Sequence, residues 1–449
     1  MEKKVDTAKI RVKTEGFRAI NSADIIIDGI TVVAGENATG KSTLSKLLYY
    51  LYRTAINYDL LVAQSLKNKF RDLRRALEIL TREIENVNIR EKAKYNLREQ
   101  LSYLENRFGL YPLSEQDREQ WLSIITDIVE AYSDKRKMLE KEKLFPSYDS
   151  KRLRYILGDL LNEKSEDKDI DSEDKPIPWE KMISLVDSLF KEGFGKMKSR
   201  PVSLLNESFA RIFRGGIPNI FEVYEFDEKI ASSDQSNLSI PYSIENTIYI
   251  DTPMIIGVRS SPNEYWNDLN ELLNKLSDGL QPALLSKQIN QEIGGDVALE
   301  RGQFGQQFVF KREDGTIFNL TDVATGIKAF GIIELLLNNG SLTDKTLLII
   351  DEPESNLHPQ WIIEYARLIV LLHKQIGVKF FIASHNPDMV SAIKYISAKE
   401  GIEKDVNFYL AKNAPGKAHM YDYELLGNNI DPIFASFNIA LDRINQYGS

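Results

Sequence analysis

Residues 35–43 read GENATGKST, a Gly-x4-Gly-Lys-Ser spacing. Gly35 and Gly40 let the backbone turn its N–H groups inward around a phosphate chain. Lys41 brings a positive charge to the outer phosphates and Ser42 a hydroxyl suited to magnesium. Glu36, Asn37, Ala38, Thr39 and Thr43 complete the loop. Its flanks agree with this reading. The apolar run ITVVA (30–34) is a strand leading straight into the loop, and TLSKLLYYLYRTA (43–55) has helical periodicity. The loop therefore sits at a helix N-terminus, where anions are favoured. The acidic strand that such a loop needs comes only at residues 346–359, TLLIIDEPESNLHP.

Asp351 ends that apolar strand and is placed to hold magnesium, directly or through water; Glu352 beside it is placed to polarise an attacking water. Phosphoryl transfer needs in-line placement and charge neutralisation, and one metal-holding and one water-orienting carboxylate supply both. His385 follows the apolar run FFIAS in SHNPD, which puts it on the ligand edge of an open α/β sheet, in reach of a terminal phosphate. NLTDVATGIKAFG (319–331) places Thr325 and Gly326 ahead of a helix, where a hydroxyl and backbone N–H groups can face a phosphate.

Bulk properties narrow the class. A chain of 449 residues, 43% hydrophobic, buries a large core as one big domain with an insertion or as two domains. Its net charge of −9 gives no global drive toward nucleic acid, although a local basic face is not excluded. The absence of cysteine rules out disulfides and thiolate metal sites. His358, His373, His385 and His419 lack metal-ligand spacing. MEKKVDTAKIRVK at the start has no signal-peptide core, and the most apolar stretch, residues 366–384, is broken by charges. A cytoplasmic protein with no membrane span is expected.

Along the chain, KIRVK, ADIII and ITVVA read as strands, with Asp28-Gly29 as a hairpin turn between the last two. From Asn57 the character becomes charged and helical. Leu66, Phe70, Leu73, Leu77, Leu80, Ile84 and Val87 form one heptad seam, and Ala93, Leu97, Leu101, Leu104 and Phe108 a second. Together they suggest an antiparallel helical hairpin, with internal packing favoured over a partner-binding arm. SEQD from Ser114 matches a capping box for a helix holding Trp121, Ile124, Ile125 and Ile128. Residues 162–178 read as an acidic loop, with Asp169 and Asp171 solvated rather than metal-binding. Helices are expected at 179–196 and 201–214. Beyond Ile240 an α/β pattern resumes: TIYID, a hairpin turning at Asp314-Gly315, a buried helix stopped by Gly340, then strand, helix, strand, a final strand pair and a helix from Pro432.

The four motifs in this order resemble the ATP-binding cassette (ABC) ATPases of the RecF, SMC and OLD type. That resemblance implies an α/β fold, an ABC-type P-loop ATPase with an inserted helical hairpin (coiled coil) and a helical subdomain. Residues 1–56 and 241–449 would form the ATPase, 57–140 the hairpin, and 141–240 the subdomain with the acidic loop 162–178. It also implies ATP and Mg2+ as cofactors and an active site shared by a homodimer or higher homo-oligomer. Thr325, Gly326 and Lys328 of one copy would then reach the γ-phosphate held by Lys41 of another. The chain departs from the pattern at Ala38, where glycine is common, and at Ala324, where serine is usual and Thr325 would supply the hydroxyl. A glutamine loop has no clear counterpart, and Asp251 in YIDTP is a poor candidate.

EPESNLHPQW (352–361) is typical of the OLD-like group rather than of transporters. OLD proteins commonly append a Toprim nuclease, and the roughly sixty residues after SHNPD are too few for one. Any nuclease is therefore expected in a separate chain. VATGIKAFGII, ENTIYIDTP and IDPIFASFN are most similar to the ATPase components of PARIS-type anti-phage systems. This resemblance implies a nuclease effector encoded alongside, held inactive until a phage-encoded trigger protein is sensed. The alternative is a RecF- or SMC-like DNA clamp in repair. Residues 67–98 carry more basic than acidic side chains, a modest surplus usual for a solvated helix face, so DNA is possible but not favoured.

Overall fold

The computed structural model of the chain describes residues 10–85, 97–141, 179–258, 261–275, 284–302, 305–355, 357–427 and 429–434. It forms two compact units, residues 1–56 with 202–449 and residues 57–201. The acidic loop 162–178 with Asp169 and Asp171, seam positions Val87 and Ala93, and all but the first turn of the helix expected from Pro432 lie outside the described residues.

In β1 (Ile10–Phe17) buried and more accessible residues alternate, as a strand with two unlike faces requires. It pairs antiparallel with β2 (Ile20–Ile26) through the tight turn Arg18-Ala19, Arg18 standing at φ 54°. The hairpin expected at Asp28-Gly29 does not form. All of β3 (Ile30–Ala34) is buried, so it needs neighbours on both edges and cover on both faces, and it enters the sheet three places along from β2 rather than beside it. Asp28 instead accepts the Ile10 N–H at 2.7 Å, and a Cβ on Gly29 would lie 2.2 Å from the Asp405 carbonyl oxygen. After the phosphate-type loop, α1 (Lys41–Ile56) leads to the insertion.

Residues 57–201 are helical where described: α2 (Tyr58–Lys69), α3 (Arg71–Glu85), α4 (Leu97–Arg107), α5 (Glu115–Lys141) and α6 (Trp179–Ser199). α5 packs on α3, α4 and α6, and α2 packs on α6. Leu66, Phe70, Leu73, Leu77 and Leu80 of the first seam are buried, as are Leu97, Leu101, Leu104 and Phe108 of the second. Trp121, Ile124, Ile125 and Ile128 join them, so the seams pack within this unit. Phe70, Phe108, Trp121 and Phe190 form an aromatic centre with edge-on and tilted rings. The capping box is made: Ser114 N–H donates to Asp117 Oδ2 at 3.0 Å and Asp117 N–H to Ser114 Oγ at 3.1 Å.

The chain re-enters the first unit with α7 (Ser203–Ile212), which packs on α1. Residues 202–240 were expected to lie in a helical subdomain; instead they belong to this unit. β4 (Ile220–Glu225) pairs antiparallel with β1 and with β5 (Glu228–Ser232). Their turn, Phe226-Asp227, has φ of 51° and 65° without the Asn or Gly that usually announces such a turn, which hides the hairpin in the sequence.

β6 (Asn246–Ile250), α8 (Glu264–Leu273), α9 (Leu284–Ile293), β7 (Gly295–Gly302), β8 (Gly305–Arg312) and β9 (Ile317–Asn319) follow. Then come α10 (Thr325–Asn338), β10 (Thr346–Asp351), α11 (Pro359–Ile376), β11 (Lys379–Ser384), α12 (Pro387–Lys399), β12 (Val406–Asn413) and β13 (Tyr421–Leu425). Among the described residues one sheet has ten strands in the order β5-β4-β1-β2-β13-β12-β3-β11-β10-β6. β7-β8-β9 make a small second sheet that turns at Asp314-Gly315, as read. From β12 to β6 the neighbours are parallel, and α1 covers β11, β10 and β6. The fold is α/β, built on this large mixed sheet.

One core residue breaks the apolar rule. Glu334 of α10 has no exposed surface; it accepts the Ser286 hydroxyl at 3.3 Å and the Val297 N–H at 3.2 Å. Burial first, then the nearby Asp296 carboxyl, push its carboxyl up to about 9. An acid whose folded pKa exceeds its unfolded value binds protons more tightly when folded. Stability is therefore full below the unfolded value and falls as pH rises toward 9. Between pH 6 and pH 9 the wild-type unit is expected to lose stability by at most about 4 kcal/mol through this group. Glu334→Gln should flatten that slope, as denaturant midpoints at the two pH values will show.

Candidate active site

Parallel register sets the site. Ala34 of β3 pairs with Ser384 of β11, Asp351 of β10 pairs with Ala383, and Ile250 of β6 pairs with Ile350. The loop at Gly35, Asp351-Glu352, His385 and Asp251 thus all leave one edge of the sheet, at its C-terminal strand ends, where open α/β sheets bind ligands.

The loop is tightly built. Gly40 has φ 97°, and a Cβ there would meet Ile20 at 3.1 Å and the Tyr423 hydroxyl at 3.3 Å. Ala38 has φ 66°, a left-handed value that costs an alanine about 1 kcal/mol and explains why glycine is the easier residue. Tyr423 of β13 braces the loop, its hydroxyl donating to the Thr39 carbonyl at 3.0 Å, and Thr39 Oγ1 donates to the Glu36 carbonyl at 3.0 Å. Glu36, Asn37 and Ala38 are exposed at the rim, Ser42 is exposed, and Thr43 is half-buried. α1 has no acidic residue in its first turn, so its positive end is left for an anion.

Lys41 is buried, and its ammonium donates to the carbonyls of Gly35 and Glu36, each at 2.8 Å. Burial holds its pKa below the ordinary lysine value against the pull of Glu352, Asp351, Glu354 and Glu36. Asp351 is buried as well and is held by hydroxyls. Ser45 donates to Oδ1 at 2.9 Å, Tyr249 to Oδ2 at 2.7 Å, and Ser42 makes a further bond. Burial raises its carboxyl while those hydroxyls and Lys46 oppose the rise. A buried ammonium facing carbonyls and a buried carboxylate facing hydroxyls each lack a full counter-charge. Phosphates and a divalent cation would supply one to each, so these residues fit both groups.

Glu352 adopts φ 51°, a left-handed backbone fixed by its N–H donating to the Ala383 carbonyl at 2.8 Å. Its carboxylate is part-exposed, accepts the Ser355 hydroxyl at 3.2 Å, and lies 3.6 Å from His385 Nδ1. The structure thus brings Lys41, Ser42, Asp351, Glu352 and His385 together. Four of their supports were not singled out in the sequence: Ser45, Tyr249, Tyr423 and Glu354. Ser45, four residues along α1 from Lys41 and so on the same face, and Glu354, two residues after Glu352, lay within the motifs themselves; Tyr249 and Tyr423 come from distant parts of the chain.

Thr325, Gly326 and Lys328 stand at the start of α10, which packs on α8, α9 and β7, and Lys328 turns to the Thr321 carbonyl rather than to that cluster. A Cβ on Gly326 would lie 2.1 Å from the Trp361 ring, so glycine there is required for packing on α11. Lys328, expected to extend toward a phosphate, is instead buried, its ammonium donating to the Thr321 carbonyl at 2.7 Å. Thr325 is half-buried beside exposed Ala324. Asp251 does not stand open as a glutamine-loop substitute: its two oxygens accept the Tyr265 hydroxyl at 2.9 Å and the Trp266 indole N–H at 2.8 Å.

A glycine-rich loop capped by a helix, with a lysine, an Asp-Glu pair and a strand-end histidine around it, defines a P-loop nucleoside triphosphatase. The chain belongs to the AAA ATPase domain family, whose profile matches residues 9–390. No curated protein matches it. Among solved structures it is similar to the Smc head domain of Pyrococcus furiosus with an extended coiled coil, bound to the C-terminal domain of ScpA. Identity there is 11%, over 98% of this chain and 99% of that one, with a TM-score of 0.32. It is similar also to the SMC head domain of Thermotoga maritima, at 11% identity over 93% and 98% with a TM-score of 0.35. Likeness that distant says nothing of partner or substrate. Among the described residues no helix is long and apolar enough to cross a membrane.

Proposed function

We propose that the protein is an ATP-hydrolysing switch that works as a homodimer or higher homo-oligomer. In this reading α10 of one copy completes the Lys41–Asp351–Glu352–His385 site of another. The observation that supports it is that the strand-end motifs converge while Thr325 and Gly326 stand at the start of α10, with Lys328 turned to the Thr321 carbonyl. Ser42 and Asp351 would hold a magnesium ion, which would supply charge neutralisation to the phosphates. Lys41 turns from the Gly35 and Glu36 carbonyls to the outer phosphates, Glu352 orients the attacking water, and His385 donates a hydrogen bond to the terminal phosphate.

We further propose that the output is control of a separate nuclease in anti-phage defence, with a phage protein as trigger. The resemblance of VATGIKAFGII, ENTIYIDTP and IDPIFASFN to the ATPase components of PARIS-type anti-phage systems supports it. A DNA clamp is the second reading. It draws on a cleft between α3 and α4 lined by Lys67, Arg74, Arg82 and Arg98, in which Arg74 pairs with Glu78 and Glu105. Light-scattering mass of the protein, alone and co-expressed with a neighbouring nuclease, with and without ATP, separates the two. The defence reading expects an oligomer that retains the nuclease. A nuclease-free monomer that dimerises with ATP and binds DNA with steep salt dependence would replace it with the clamp.

A further inference from the structure

Glu354 has no part in the chemistry assigned above, yet its side chain is only 4% exposed and lies beside the residues that do. Oε1 accepts the Ser384 hydroxyl at 3.0 Å and the His385 N–H at 3.0 Å, and stands 3.3 Å from His385 Nδ1. Oε2 is buried with no hydrogen-bond partner among the described residues. A carboxylate this deep is costly unless it organises donors around it. Burial pushes its carboxyl up, and the contacts from His385 and Ser384 oppose that.

His385 Nδ1 is buried beside two carboxylates and is hydrogen-bonded to neither. Glu354 Oε1 is at 3.3 Å and buried, whereas Glu352 Oε1 is at 3.6 Å with a side chain 44% exposed. The Glu354 carboxylate is the nearer of the two, and its charge is the less screened by water. We propose that Glu354 is a positioning residue for His385: it fixes the turn between β11 and α12, holds the Nδ1 side of the imidazole, and so presents Nε2 to the terminal phosphate of ATP. It also draws the ring off Glu352, leaving that carboxylate for water. This inference rests on the reading of His385 as the phosphate-facing group.

The test is a double-mutant cycle on ATP hydrolysis, with ATP affinity measured separately by a fluorescent nucleotide. Glu354→Gln is expected to lower kcat about tenfold, as loss of an orienting partner does, with nucleotide affinity nearly unchanged. In a His385→Ala background the same change should alter kcat by less than about twofold, because the residue it acts through is gone. Equal losses in both backgrounds would overturn the proposal, since a purely structural role is additive. Full activity of Glu354→Gln would overturn it too. If His385→Ala alone hydrolyses ATP at the wild-type rate, the phosphate-facing role fails and the proposal falls with it. A wild-type protein that hydrolyses nothing would overturn the ATPase reading itself. Should Glu354→Gln fail to fold, Ser384→Ala removes the hydroxyl that holds Oε1. It is expected to lower kcat several-fold in the wild-type background and not in His385→Ala.

Discussion

Glu352→Gln is expected to abolish turnover while leaving ATP bound. The amide keeps the length of the side chain, and the backbone at φ 51° stays fixed by the bond from its N–H to the Ala383 carbonyl. What is lost is the anionic oxygen that takes a hydrogen bond from water. Positioned proton acceptors contribute about 100- to 10,000-fold, so kcat should fall at least about 100-fold with affinity retained. Single-turnover hydrolysis of labelled ATP, read beside filter binding, gives both numbers. Since binding persists without hydrolysis, the oligomer should also outlast that of the wild type in ATP. Unchanged turnover would show that another group handles the water.

Lys41→Met separates binding from folding. Lys41 is buried against carbonyls, and burial holds its pKa down, so in the nucleotide-free protein its charge stabilises little. Methionine fills much of the same space without a charge to desolvate. The thermal midpoint without ATP should therefore hold or rise. With ATP the wild type gains stability by mass action, and the variant should gain almost none, because affinity falls by about 100-fold or more with the phosphate charge unmatched. Thermal shift across an ATP titration reads both effects. A variant with a lowered midpoint but normal ATP response would mean that Lys41 serves the fold rather than the nucleotide.

What the sequence disclosed of this site was local. ITVVA running into GENATGKST and on into α1 is a strand–loop–helix unit complete within one window, and so are TLLII before Asp351 and FFIAS before His385. Their partners were hidden for the opposite reason. Tyr249 reaches Asp351 across 102 residues of chain and Tyr423 reaches Thr39 across 384, and a tyrosine in an apolar strand looks like any core residue until the sheet is ordered. Pattern also misled where one signal outweighed another. Asp28-Gly29 has the chemistry of a hairpin turn, but the demand of β3 for cover on both faces decided the topology. Phe226-Asp227 turns a hairpin without a glycine or asparagine, and Lys328, which the family resemblance made a phosphate ligand, satisfies a carbonyl inside its own fold.

The place where the helical insertion is spliced in has a consequence for how this chain can diversify. It leaves after α1 and returns at α7, and these two helices already touch each other within the ATPase unit. Closing a segment whose two anchors are neighbours is cheap at any size, since the entropy of closure grows only with the logarithm of length, about 0.6 kcal/mol for each doubling. Arms of very different lengths can thus be accommodated at this point with the phosphate loop, at the opposite end of α1, kept as it is. The length of residues 57–201 is the dimension along which this fold can vary at least cost.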